Sequence, residues 1–142
     1  RALSMNWGAQ LLTLVDDTYN ANPDSVRAAI DVLAELPGPR LLVLGDMGEV
    51  GDQGPAFHAE IGAYAHDRQI EQVLCLGDLA RHTAMACPGA QHFADIDTLI
   101  GSAKQALAQT SSALIKGSRF MKMERVVQAI QNTSHTTERA SC

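Results

Sequence analysis

The sequence predicts an α/β fold: a Rossmann-like, doubly wound, mostly parallel sheet flanked by helices. Three observations carry that expectation. Four short runs rich in Val, Leu and Ile are near-continuous in apolar residues rather than alternating, as strands covered on both faces are. Between them lie segments whose apolar residues recur at helical spacing. The two kinds alternate along the chain, which implies parallel strands joined by right-handed crossovers.

In chain order, the first run is Leu11 to Val15, and Trp7 ahead of it is expected to pack beneath the N-terminal segment. Asp24 to Leu36 follows, with Val26, Ile30, Leu33 and Ala34 on one stripe; Asn22-Pro23 starts that helix and Pro37-Gly38 ends it. Leu41 to Leu44 is the second strand. Pro55 to Arg68 places Phe57, Ile61, Tyr64 and Ala65 on one helical face. Val73 to Leu76 is the third strand, and Asp78 to Ala86 the next helix. A short strand is expected near Gln91 to Phe93, then a helix from Ile96 to Ala108, a fourth main strand from Ala113 to Ile115 and a last helix from Met121 to Gln131. Phe120, Met121 and Met123 read as core packing. Residues 1–132 are thus expected to form one domain, and 133–142, polar and without apolar periodicity, a disordered tail.

Composition narrows the function classes. A formal net charge of −5 with scattered acids does not suggest a nucleic-acid surface, which is usually basic. Three cysteines without framework spacing argue against a secreted disulfide scaffold, and Cys75 sits within an apolar run as a core residue does. No apolar stretch approaches the roughly 20 residues that span a bilayer, and no signal-peptide pattern opens the chain. A cytoplasmic protein is expected. Arg1 in place of an initiator Met suggests a chain cut from something longer.

Ligands of such sheets bind beyond the carboxyl ends of the strands, and there the sequence is loaded with polar chemistry. Asp16 to Pro23, read DDTYNANP, exceeds what a turn needs. Asp16 and Asp17 are suited to accept from ribose hydroxyls, and with Tyr19 and Asn20 they read as a ligand contact; Asn22 stands beside them, with a helix cap as its alternative. Gly45 to Gly51, read GDMGEVG, offers Asp46 and Glu49 for an ammonium group or for water-mediated Mg²⁺, or else is a flexible loop with solvated acids. Lys116 to Arg119, read KGSR, resembles an anion site in which Gly and Ser open a helix between two cations; the alternative is ordinary surface charge. No G-x-G-x-x-G and no P-loop occurs, so a self-sufficient dinucleotide domain is disfavoured. The five histidines show no metal-ligand spacing with Cys or carboxylate. His58 follows the glycine loop on an expected helix, either facing the site or packing in the fold.

Taken in order and spacing, DDTYNANP, GDMGEVG and KGSR resemble the Mur ligases, over Arg1 to about Gln131. The nearest resemblance is to the branch that joins D-alanyl-D-alanine to UDP-N-acetylmuramoyl-tripeptide in peptidoglycan synthesis. The resemblance implies three domains, of which this chain matches the third; the N-terminal and central domains hold the UDP-sugar peptide, ATP and Mg²⁺. It implies an amide bond made through an acyl phosphate, with this domain closing on ATP and helping to hold the incoming dipeptide. Carried over residue by residue, Arg1 faces the nucleotide, Asp16 or Asp17 meets the ribose, and Asn20 and Asn22 line or shape the adenine side. Asp46 and Glu49 become candidates for the dipeptide ammonium. Lys116, Ser118 and Arg119 become candidates for its carboxylate or the phosphates. Val50 stands where the family's segment usually has Leu. No catalytic residue and no metal ligand is expected within this domain, and the fragment alone is expected to be inactive. Two alternatives remain. One is a sister ligase adding a diamino acid, which would carry Asp-Asn-Pro-Arg where this chain has Gly77-Asp78-Leu79-Ala80. The other is a stand-alone nucleotide-binding or interaction module.

Overall fold

The computed structural model describes the backbone of residues 1–141 and the side chains of residues 1–134. The elements run β1 (Ala2–Trp7), β2 (Gln10–Asp17), α1 (Pro23–Ala34), β3 (Arg40–Gly45), α2 (Gly54–Asp67) and β4 (Gln72–Leu76). They continue with α3 (Ala80–Met85), β5 (Gln91–Phe93), α4 (Ile96–Leu107), β6 (Ser112–Lys116) and α5 (Glu124–Ser141). Six strands form one sheet in the order β1-β2-β6-β3-β4-β5. All neighbours are parallel except β1, which pairs antiparallel with β2.

The alternation of side chains across the sheet builds two apolar layers. Leu42, Leu44, Val73, Cys75 and Leu114 point to one face, where Val26, Ile30 and Leu33 of α1 and Ile61 and Ala65 of α2 cover them. Leu41, Val43, Leu74, Leu76, Ala113 and Ile115 point to the other, beneath Leu99, Ala103 and Leu107 of α4 and Val126, Val127 and Ile130 of α5. This double cover is why β3, β4 and β6 read as continuous apolar runs. Cys75 is core as expected; burial pushes its thiol up to about 12, so it is inert.

Four expectations need correction. β1 was not anticipated, and Trp7 belongs to it, half-buried against the α4–α5 layer. The helix expected from Asp78 starts only at Ala80. The helix expected from Met121 starts at Glu124, because Arg119–Met121 forms a 3-10 turn and Lys122 takes a left-handed conformation, φ 52°. Phe120 is not core: it is 66% exposed. At the other end α5 continues to Ser141, so Thr133 and Ser134 extend a packed helix; Ser134 is buried and donates from Oγ to the Asn6 carbonyl. The rest of the expected tail lies outside the residues with described side chains.

The topology sets where a ligand fits. α1, α2 and α3 lie over one face and α4 and α5 over the other. The connections leaving β2 and β6, neighbours in the sheet, therefore depart to opposite faces. That is a switch point, and it opens a crevice at the carboxyl ends of β2 and β6.

Candidate functional site

The crevice holds an open groove of about 710 Å³, lined among others by Arg1, Asp16, Asp17, Tyr19, Arg119 and Lys122. Its first wall is the loop after β2. Asp17 closes the strand, and its Oδ2 lies 3.0 Å from Nζ of Lys116, the last residue of β6. The same Nζ donates to the Asn20 carbonyl at 2.9 Å. Lys116 is only 3% exposed, so one buried cation ties the first loop to the KGSR segment. Asp16 Oδ1 accepts from Thr18 Oγ at 2.7 Å. Asn20 Oδ1 accepts from the next backbone amide, Ala21.

Asn22 is a helix cap. Its Oδ1 accepts from Ser25 N at 2.9 Å, Ser25 Oγ accepts from Asn22 N at 3.0 Å, and Pro23 sits in the first turn of α1. That reciprocal box uses Asn22 locally, and it does not line the groove.

The second wall is KGSR. Ser118 N donates to the Asp46 carbonyl at 3.0 Å, which joins this segment to the glycine loop. The Ser118 hydroxyl is buried yet has no hydrogen-bond partner. Arg119 stacks its guanidinium 5.0 Å from the ring centre of Tyr19, which is 72% exposed, and its Nη1 is 3.4 Å from the Tyr19 hydroxyl. No α-helix starts at Gly117-Ser118, so the expected helix amides are not offered there; a 3-10 turn, Arg119–Met121, follows instead.

In the third loop the two acids part company. Asp46 is buried, and its carboxylate accepts from Ala80 N at 2.7 Å and Leu79 N at 3.3 Å, holding the start of α3. Gly77, at φ 117°, makes this possible: a Cβ there would stand 2.3 Å from Asp46 Oδ1. Glu49 is exposed and left-handed, φ 57°. Gly48 N donates to the Ala21 carbonyl at 3.2 Å, joining this loop to the first.

The structure thus brings together all three segments singled out in the sequence, with Asp46 turned inward and Asn22 spent on a cap. Sequence reasoning missed Thr18, Lys122 and Glu124 as groove residues. Thr18 lies inside the polar turn already singled out; Lys122 and Glu124 reach the groove only because the chain delays the start of α5.

Residues 5–119 match the family described as Mur ligase, glutamate ligase domain. The chain belongs to the Mur ligase family. Among similar Mur ligases, the UDP-N-acetylmuramoyl-tripeptide–D-alanyl-D-alanine ligase of Escherichia coli is 44% identical over 120 residues, 83% of this chain and 26% of the relative. The enzyme of the same description from Bacillus subtilis is 34% identical over 125 residues, 82% of this chain and 27% of that one. The chain therefore spans about a quarter of the length of the curated relatives it matches. Of solved structures, MurF from Acinetobacter baumannii superposes with a TM-score of 0.74 at 31% identity, over 87% of this chain and 28% of that chain. MurF ligase from Thermotoga maritima, in complex with ADP, gives 0.82 at 22% identity over 96% and 31% respectively, a likeness of fold. This Mur ligase domain carries its polar chemistry on one sheet edge, as its sequence implied.

Proposed function

We propose that the chain is the C-terminal domain of an ATP-dependent, C–N bond-forming ligase that adds D-alanyl-D-alanine to UDP-N-acetylmuramoyl-tripeptide in cytoplasmic peptidoglycan synthesis. The N-terminal and central domains of the same enzyme are its partners, and they hold the UDP-sugar peptide and most of the nucleotide with Mg²⁺. One observation carries this reading: Lys116, Asp17, Asn20, Tyr19 and Arg119 converge from segments about 100 positions apart onto one crevice.

The groups present fit a nucleotide at the edge of this domain. Asp16 supplies a carboxylate for ribose hydroxyls, while Asp17 is already neutralised by Lys116. Arg1 and Lys122 add positive charge on the groove. ATP, when bound, supplies the activated phosphoryl group; this chain's residues orient it and, as the domain closes, exclude water. For the dipeptide, the exposed Glu49 suits the ammonium. The unpartnered Ser118 hydroxyl and the Arg119 guanidinium suit the carboxylate, since a buried hydroxyl without a partner is costly unless a ligand completes it. Asp46 and Lys116 shape the loops from within.

Steady-state kinetics of the full ligase test this reading. Asp16→Asn should raise KM for ATP, whereas Glu49→Ala and Arg119→Ala should raise KM for D-alanyl-D-alanine, each by about tenfold or more, the scale of one charge-assisted hydrogen bond. An unchanged dipeptide KM in both latter variants would remove the assignment.

A further inference from the structure

The Gly45–Gly51 loop keeps a shape that its own residues do not favour. Glu49 at φ 57° has a Cβ in left-handed space, a conformation uncommon outside glycine. Restraint has to come from outside the loop, and one buried side chain supplies it without touching the groove. Nε2 of His58, in the second turn of α2, lies 3.0 Å from the Met47 amide, and its Nδ1 lies 2.7 Å from the Gly54 carbonyl. A carbonyl only accepts, so Nδ1 bears the proton and Nε2 is the acceptor. A single neutral tautomer therefore ties residue 47 to the head of α2. The ring is 2% exposed, and α3 fastens the backbone behind it through Thr83 Oγ, which donates to the His58 carbonyl at 2.8 Å.

We propose that His58 is a positioning residue: its neutral imidazole clamps Met47 to Gly54 and so holds Glu49 toward the incoming amino substrate. The inference rests on the assignment of Glu49 to the substrate ammonium. Protonation of the ring would set two N–H donors against each other at Met47 and open the clamp. Asp46 from the loop and His82 from α3 are the titratable groups acting on the ring. Burial is the largest influence and pushes the imidazole below its ordinary value; the Gly54 bond and Asp46 pull it up, while His82 pushes it down.

The test pairs two variants with two readouts. His58→Phe keeps a ring but no acceptor, and His58→Gln returns an acceptor near the position of Nε2. In this 142-residue chain, amide hydrogen exchange should show Met47 freed by about tenfold in H58F, the size of one lost buried hydrogen bond. Val43 on β3 should be unaffected, and H58Q should restore most of the protection. In the full ligase, H58F should raise the dipeptide KM by about tenfold, with kcat and the KM for ATP within about twofold. The wild-type dipeptide KM should rise as pH falls below the ordinary histidine range, the direction set by the buried ring, and H58Q should flatten that rise. Unchanged Met47 exchange in H58F overturns the clamp. A freed Met47 with an unchanged dipeptide KM overturns the positioning role together with the Glu49 assignment. If H58F does not fold, H58Q decides: a pH profile identical to wild type overturns the proposal.

Discussion

Lys116 sits almost wholly out of water, where two oxygens, Asp17 Oδ2 and the Asn20 carbonyl, meet its Nζ at 3.0 and 2.9 Å. Burying an ammonium costs several kcal/mol unless it is paired, and removing one partner exposes that cost. Asp17→Asn should therefore destabilise the fold by roughly 2 kcal/mol, a value discounted for the half-exposed carboxylate. Asp16→Asn, which disturbs chiefly a bond to the neighbouring Thr18, should cost under about 1 kcal/mol. Urea denaturation of the two variants checks the difference; equal losses would contradict it. His58 adds a pH dependence of known sign. Its folded pKa is lowered, so its contribution is fully present above the unfolded value and is lost as pH falls from there toward the folded value. The urea midpoint should fall over that window in wild type, and the part due to His58 should vanish in H58Q. At this scale the acids after each strand were legible, but their directions were not. Asp46 and Glu49 look alike in GDMGEVG; only Gly77 and the amides of Leu79 and Ala80, some 30 residues away, decide that Asp46 turns inward.

Among the elements, those with strong local signals were read correctly. The Asn22-Pro23 start of α1 carries its own cap, and the capping box shows it. Asn22→Ala should cost about 1 kcal/mol of stability and leave the KM for ATP unchanged; a marked rise in that KM would return Asn22 to the nucleotide site. β1 was missed although Leu3, Met5 and Trp7 alternate with Ser4 and Asn6, because an edge strand with one covered face lacks the continuous apolar run of β3, β4 and β6. The late start of α5 was not legible, since nothing local announces that Lys122 turns left-handed and that Arg125 bonds back to the Met121 and Lys122 carbonyls. The α2–α3 contact gives a steric prediction of its own. A Cβ on Gly62 would stand 2.1 Å from the Thr83 carbonyl oxygen, so Gly62→Ala should force the helices apart and cost roughly 2 kcal/mol or more in a thermal or urea melt.

For the whole molecule, the sheet order places β2 and β6 side by side, so their loops share a crevice although their strands are nearly 100 residues apart. The alternation of strands and helices made the fold class legible. The strand order was not, because pairing depends on which faces the crossovers take rather than on any local pattern. The groove is open and offers side chains in place of a glycine-rich phosphate cradle, so on its own this chain should bind ATP no tighter than about 1 mM, and it should have no ligase activity. Calorimetry giving a micromolar Kd would contradict that. We hold the β2–β6 crevice to be one half of a nucleotide site completed by other domains. That assignment is tested most directly by a structure of the full ligase with nucleotide bound. The ribose hydroxyls should lie within hydrogen-bond distance of Asp16 or Asp17, with the KGSR and GDMGEVG loops turned toward the other domains. A nucleotide enclosed elsewhere, with the β2–β6 crevice facing solvent, would contradict it.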